Sequence, residues 1–435
     1  MVCRKIQACI MSISEKDKRY VWHPFTQMKT SEDALPIVRG EGTLLFDEDG
    51  NSYIDAIASW WVNLHGHAHP YLASKISGQM QVLEHIPFAG FTHKPATDLC
   101  ERLKVHLPSN QQKFFFSGDG SSAIEIALKM SIQYWRNKSE MRTRILALDG
   151  GYHGETFGAM SAGARSIFSA HFNDYLFEVV HLPFPSNASK SIDALTQELE
   201  KGDVAAFIFE PLIQGASGMR MYPAKNLSEL ISVAQSEGVL CIADEVMTGF
   251  GRTGTVFACN QLSVQPDFMC ISKGLSGGTM PLSLTTCTQE VYDAFLGDDM
   301  TTAFLHGHSF TGNPVGCVSA IASLDLLESD ECINAMKRIA SRHTEFAEDL
   351  RVGKFAGLLE DVRFKGSVLA IELKADKSGY SSEVRNTLYS HFISQGVLLR
   401  PLGNVIYILP PYCITDEELD KVYKSVLSAL ERIAI

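Results

Sequence analysis

Six short runs rich in β-branched and aromatic residues constrain this chain more than any other feature: KFFFSGDG, RILALDGG, AAFIFEP, VLCIADEV, DFMCISKG and PLSLTTCT, each ending in turn residues. Their length and composition are those of buried strands, and several alternate with helix-like segments. After GDG, for example, Ile124, Leu128, Ile132 and Trp135 recur at helical spacing, with Ser121 or Ser122 as the expected N-cap. Strand, turn and helix in repetition predict an α/β fold with a mainly parallel sheet, where ligands gather at the carboxyl ends of the strands. The alternation marks a large domain over residues 66–327. Beyond Glu328 it gives way to a helix, VRFKGSVLAIELK, another helix and NVIYILPP. That pattern reads as a smaller α+β domain over 328–435, which the segment 1–65 is expected to join. No repeat, low-complexity tract or Pro/Ser-rich linker separates these parts, so they are expected to pack closely.

A chain of 435 residues, 45% hydrophobic and 20% charged, has room for such a core. Its net charge of −12 and the absence of any Lys/Arg run argue against a nucleic-acid partner. Ten cysteines lie scattered without CxxC pairs, some inside apolar runs as Cys241 is, which suits reduced core thiols in a cytoplasmic protein. No apolar stretch approaches the roughly 18 residues of a membrane span. The opening MVCRKIQACI is too short for a secretion signal, and Met11 offers an alternative start.

The chemistry begins at VLCIADEVMTGFGRTG, where an apolar strand ends in Asp244 and Glu245 and runs into a glycine-rich turn. A strand-end carboxylate points at the ligand crevice of such a sheet, but metal sites, nucleotide sites and helix caps use the same position. The next strand, DFMCISKG, ends in Lys273. A lysine before glycine is ordinarily a solvated turn residue; this one follows an apolar strand. Burial lowers a lysine's pKa and prepares the amine for Schiff-base formation with an aldehyde, while a carboxylate facing a pyridine nitrogen keeps that ring an electron sink. In FFFSGDGSSAIEIALKM, Gly120, Ser121 and Ser122 offer a turn that leads into a helix N-terminus and favours an anion. A plain glycine turn with a Ser cap fits them too, since neither Walker nor GxGxxG spacing is met. GYHGETFGAM sets Tyr152 and His153 at a further strand end, where an aromatic ring either covers a flat ligand or simply packs.

Together these segments resemble class III aminotransferases of the fold-type I pyridoxal-phosphate superfamily, over nearly the whole chain from about Tyr20. DEVMTGFGRTG followed by SKG carries the resemblance. VWHPFTQM (21–28), SWWVNLHGHAHP (59–70), HGHSFTGNP (306–314) and RPLGNVIYILPPY (400–412) are similar to the branch of that class that serves biotin synthesis. The resemblance implies that Lys273 forms the Schiff base with pyridoxal 5'-phosphate, that Asp244 pairs with the ring nitrogen, that Tyr152 stacks on the ring and that Gly120 and Ser121 hold the phosphate. It implies a homodimer with shared active sites, in which His308 and Ser309 reach the partner's cofactor. Trp60, Trp61, Tyr152, Gly307 and Tyr407 would then contact substrate, and Arg400 would bind the carboxylate of a long keto acid. The implied reaction converts 8-amino-7-oxononanoate to 7,8-diaminononanoate by ping-pong transfer from S-adenosylmethionine. Lysine as donor, or another ω-amino substrate of the class, is the alternative. Three positions depart from the family: Phe25 stands where tyrosine is common beside the substrate amine, and His308 and Ser309 stand where Pro and Thr are usual. No metal is expected. A regulator of the same fold would carry a basic DNA-binding appendage, and a nicotinamide enzyme a GxGxxG turn with an acidic residue beyond it; neither is present.

Overall fold

The computed structural model describes residues 11–374 and 384–433. The MVCRKIQACI segment, with Cys3 and Cys9, lies outside the described residues. At the centre is a seven-stranded sheet whose strands, labelled in chain order, are β1 (Gln111–Ser117), β2 (Arg144–Leu148), β3 (Val179–Leu182), β4 (Val204–Phe209), β5 (Leu240–Asp244), β6 (Phe268–Ile271) and β7 (Ser283–Thr288). They lie in the order β1-β7-β6-β5-β4-β2-β3. Neighbours from β6 through to β3 pair in parallel, and only β7 runs against its neighbours. The α/β class and mainly parallel sheet are as the alternation predicts. All six apolar runs are strands of this sheet; Val179–Leu182 is a seventh that the runs do not include.

The runs are continuous rather than alternating because both sheet faces are buried. Phe207, Phe209, Cys241, Ala243, Met269 and Ile271 point into one core. Their neighbours Ala206, Ile208, Leu240, Ile242, Phe268 and Cys270 point into the other. The helix Gly120–Asn137 covers the second face with Ile124, Leu128 and Trp135. Its N-cap corrects the expectation of Ser121 or Ser122: the cap is Asp119, whose carboxylate accepts from the Ser122 amide at 3.0 Å. An acceptor two or three residues earlier reaches the free amides first, so the helix begins at Gly120.

Among the described residues there are two further sheets of three or more strands. The strands Ile37–Glu41, Leu44–Asp47 and Ser52–Asp55 pair antiparallel in sequence, and Val397–Leu398 adds to Ser52–Asp55 in parallel. Leu359–Lys365, Val368–Leu373 and Val405–Ile408 form an antiparallel sheet backed by the long helix Asp330–Val352. Among the described residues no helix is long and apolar enough to cross a membrane, and the described cysteines are all free thiols, most of them buried.

Candidate active site

Parallel strands deliver their last residues to one edge of the sheet, and here that edge is chemically loaded. Asp244 ends β5, Lys273 follows β6, Glu210 follows β4, Tyr152 and His153 lie in the turn after β2, and Gly118–Ser121 follow β1. All of them line one cleft of about 450 Å³, together with Trp61, Met280 and Leu282. That volume suits a cofactor-sized ligand.

Burial pushes the Lys273 ammonium down to about 8, against the pull of Asp244 and Glu210, which favour its charge. The amine lies 4.5 Å from the centroid of the Trp61 ring. Asp244 is held from both sides: one oxygen meets His153 Nδ1 at 2.8 Å and the other accepts from the Val246 amide at 3.1 Å. Its neighbour Glu245 turns away into the core, where it accepts from the Thr248 hydroxyl and the Ala258 and Cys259 amides and anchors the glycine-rich turn. Of the adjacent acids, only Asp244 faces the cleft.

Glu210 is a site residue that the sequence analysis passes over, although AAFIFEP ends in a carboxylate just as VLCIADEV does. Its two oxygens accept from the amides of Tyr152 (3.0 Å) and Gly215 (2.8 Å), tying the Tyr152 turn to the Gly215 turn behind Trp61. Burial pushes its carboxyl up to about 7, a rise that His153 opposes and Asp244 reinforces. Tyr152 is half-buried, and burial together with Glu155 keeps its phenol protonated.

At the glycine turn, a Cβ on Gly120 would sit 2.8 Å from Val246 Cγ1, and one on Gly154 would collide with Ser121 Oγ. Gly120 and Ser121 open the helix, so their amides have no intrahelical acceptor. Ser122 instead spends both amide and hydroxyl on Asp119 and does not line the cleft. An amine of lowered proton affinity, a buttressed carboxylate, an aromatic ring and free helix amides in a side-chain-free turn match, in turn, an aldehyde, a basic ring nitrogen, a flat ring and a phosphate. The residues present therefore fit a phosphorylated pyridine aldehyde.

The remaining expected residues stand outside that wall. Trp60 is 36% exposed and carries the Arg400 guanidinium over its ring at 4.9 Å. Phe25 packs edge-on to Trp60 and Phe168, both at 5.5 Å. Tyr407 is buried and meets Trp61 edge-on at 6.1 Å. Gly307, His308 and Ser309 are exposed, and the imidazole of His308 lies beside Gly118, 3.7 Å from where a Cβ would stand. Trp61 owes its place to an unusual turn. Ala58, Ser59, Trp60 and Trp61 have φ of 51°, 47°, 73° and 75°, a left-handed turn without glycine, which costs roughly 1–2 kcal/mol per residue.

The aminotransferase class-III family model matches residues 27–430. Adenosylmethionine-8-amino-7-oxononanoate aminotransferase of Synechococcus elongatus is 46% identical, over 95% of this chain and 99% of that protein. The crystal structure of the enzyme of that name from Methanocaldococcus jannaschii superposes with a TM-score of 0.90 at 34% identity, covering 96% of this chain and 98% of that one. An amine transaminase from an uncultivated Pseudomonas species, solved in its PLP-bound form, is similar with a TM-score of 0.88 at 30% identity, covering 95% and 98%.

Proposed function

This chain belongs to the class III aminotransferases, and from that premise we propose that it aminates 8-amino-7-oxononanoate to 7,8-diaminononanoate in biotin synthesis, with S-adenosylmethionine as donor. The observation that carries the reading is the convergence of Lys273, Asp244, Tyr152 and the Gly118–Ser121 turn on one cleft. The substrate follows from the names of relatives that match almost end to end.

The enzyme uses pyridoxal 5'-phosphate, which supplies the aldehyde that takes up an amine and the ring that withdraws electrons from the adjoining carbon. Gly120 and Ser121 hold the phosphate through their amides, and His308 and Ser309 contribute to a phosphate from the partner of a cytoplasmic homodimer. Tyr152 lies on the ring. Asp244, oriented by His153 and the Val246 amide, is the group that would face the ring nitrogen and hold a proton there. With the cofactor bound, Lys273 would be the residue that takes its aldehyde carbon, and the freed amine would move the proton of the carbon that bears the donor's amino group. With a pKa of about 8, a useful fraction is neutral near neutrality. Two substrates in succession use one cleft, so the kinetics are ping-pong. Trp60, Trp61, Gly307 and Tyr407 border the path of the carbon chain, and Arg400, laid flat on Trp60, takes the carboxylate at its far end. This division of labour goes with the parts 1–65, 66–327 and 328–435.

Incubating the purified protein with 8-amino-7-oxononanoate and either S-adenosylmethionine or lysine, and following 7,8-diaminononanoate by mass spectrometry, tests the reading. Product with S-adenosylmethionine is expected. Product with lysine alone would move the donor assignment to lysine, consistent with a Phe25 that offers no hydroxyl, and no product with either donor would sink the substrate.

A further inference from the structure

Four successive residues, none of them glycine, do not take left-handed φ unless something over-determines them. In Ala58–Trp61 that something is the carboxylate of Asp55, at the end of the strand Ser52–Asp55 and fully buried. One oxygen accepts from the amides of Ile57 (3.3 Å) and Ser59 (2.9 Å); the other accepts from the Ser59 hydroxyl (2.7 Å) and meets His67 Nε2 (3.0 Å). The turn closes through the Trp61 amide to Ile57 O and the Val62 amide to Ala58 O, both 2.9 Å. A right-handed or extended course would carry the Trp61 Cβ to another side of the backbone.

What the turn delivers is the Trp61 indole. It is wedged against Gly215, where a Cβ would stand 3.2 Å from the ring, and against the edge of Tyr407. Its face covers the Lys273 amine at 4.5 Å. The indole Nε1 is buried without a hydrogen-bond partner at this cleft wall, which is the sign of a ring set by its surroundings rather than by its own polar bond. We propose that Asp55 is a positioning residue for the reactive amine: by clamping Ala58–Trp61 in a left-handed turn it lays the Trp61 ring on Lys273 and keeps water from it.

The inference rests on Lys273 being the reactive amine. The charged groups that face Lys273 are Asp244, with His153 behind it, and Glu210; Asp55 is not among them. Any influence of Asp55 on Lys273 therefore passes through the turn. The indole acts on the amine in two ways. As a π face it favours the ammonium, and as a cover it disfavours it by excluding water. Burial is the largest influence on this lysine, so removing the cover should raise its pKa.

The measurement is the pH profile of Lys273 labelling by acetic anhydride, read from its peptide by mass spectrometry, in the full-length protein loaded with pyridoxamine phosphate so that the amine is free. Asp55→Ala and Trp61→Leu are expected to shift the profile upward by about one unit or more, with labelling at pH 8 severalfold slower. Asp55→Asn, which keeps an acceptor for both amides, should stay near the parent. Ser59→Val disfavours the turn from a half-exposed position, since a β-branched residue resists positive φ, and should shift the profile as Asp55→Ala does. It decides the matter if Asp55→Ala does not fold. An unshifted profile in a folded Asp55→Ala or Ser59→Val protein would overturn the proposal, and so would an Asp55→Asn protein as shifted as Asp55→Ala. Because the readout is the amine itself, failure here is separable from failure of the assay with 8-amino-7-oxononanoate.

Discussion

A carboxyl that is 5% exposed and faces a second acid resists ionisation, and Glu210 is held up to about 7 by burial first, with Asp244 adding to it. The sign of the consequence follows from linkage. In the unfolded chain Glu210 loses its proton near 4.5; in the folded chain it keeps the proton until about 7. Its contribution to stability is therefore fully present below about 4.5 and is lost as the pH rises through about 7. The size is about 3 kcal/mol, from roughly 1.4 kcal/mol for each pH unit between the two values. Glu210→Gln removes the titration. It leaves one of the two amides, Tyr152 or Gly215, without its acceptor, which lowers stability by a similar amount at every pH. Melting curves of the parent and Glu210→Gln proteins should thus diverge most near pH 4.5 and converge by about pH 7.5. Parallel curves across that range would mean that Glu210 is ionised throughout in the folded protein. The same two hydrogen bonds tie the Tyr152 turn to the Gly215 turn, so this one residue joins the electrostatics of the cleft to its shape.

At the scale of elements, the start of the helix Gly120–Asn137 is where packing and ligand binding compete most directly. Gly120 has Val246 Cγ1 at 2.8 Å from a would-be Cβ, and Val246 itself lines the cleft. Gly120→Ala should push Val246 into the cleft and weaken pyridoxal 5'-phosphate binding about tenfold or more, as overpacking typically costs about 1–3 kcal/mol. Asp119 still caps the helix in that variant, so the cofactor-free protein should melt within a few degrees of the parent. Cofactor titrations followed by absorbance, beside melting curves of both forms, separate the two effects; equal loss in both forms would mark Gly120 as a packing residue only. How legible such elements are in the sequence depends on how local their cause is. β5 and β6 announce themselves because both faces are buried and every residue before Asp244 in the one, and throughout the other, is apolar. Val179–Leu182 is a four-residue edge strand with His181 in it, only partly covered, and it lacks that uniformity. Asp244 and Lys273 are legible because consecutive apolar strands end in them. Glu210 ends its strand in the same manner, and only the strand order sets it beside Asp244. The turn at Ala58–Trp61 is illegible for a stronger reason: SWW contains none of the glycine that a left-handed course calls for, and the clamp that imposes it is a buried carboxylate whose other partner, His67, comes after the turn.

At the scale of the whole molecule the open question is which active site the 306–314 loop serves. Within one chain His308 lies beside Gly118 of its own glycine turn, yet Gly307, His308 and Ser309 are exposed and none of them lines the cleft. Leu305 and Phe310 are exposed apolar residues at this loop, as Tyr20 and Trp22 are elsewhere. In the proposed homodimer the alternatives are separable. Ser309→Asp sets a carboxylate where a phosphate contact is proposed and should abolish activity by repulsion, while Lys273→Ala should abolish it by removing the amine. Suppose the two inactive proteins are unfolded, mixed in equal amounts and refolded. Half of the dimers are then hybrids. If Ser309 serves the partner's site, both lesions in a hybrid fall on the same site, and the other site, with an intact Lys273 and an intact Ser309 from across the interface, is whole. About a quarter of the parent activity should return, since half of the dimers each carry one good site of two. If Ser309 serves its own chain, each site of the hybrid carries one lesion and the mixture stays inactive. Recovery of about a quarter, with a native mass about twice 48.0 kDa, would establish that neither chain can complete a site without the other; silence in a mixture shown by mass spectrometry to contain hybrids would confine the loop to its own subunit.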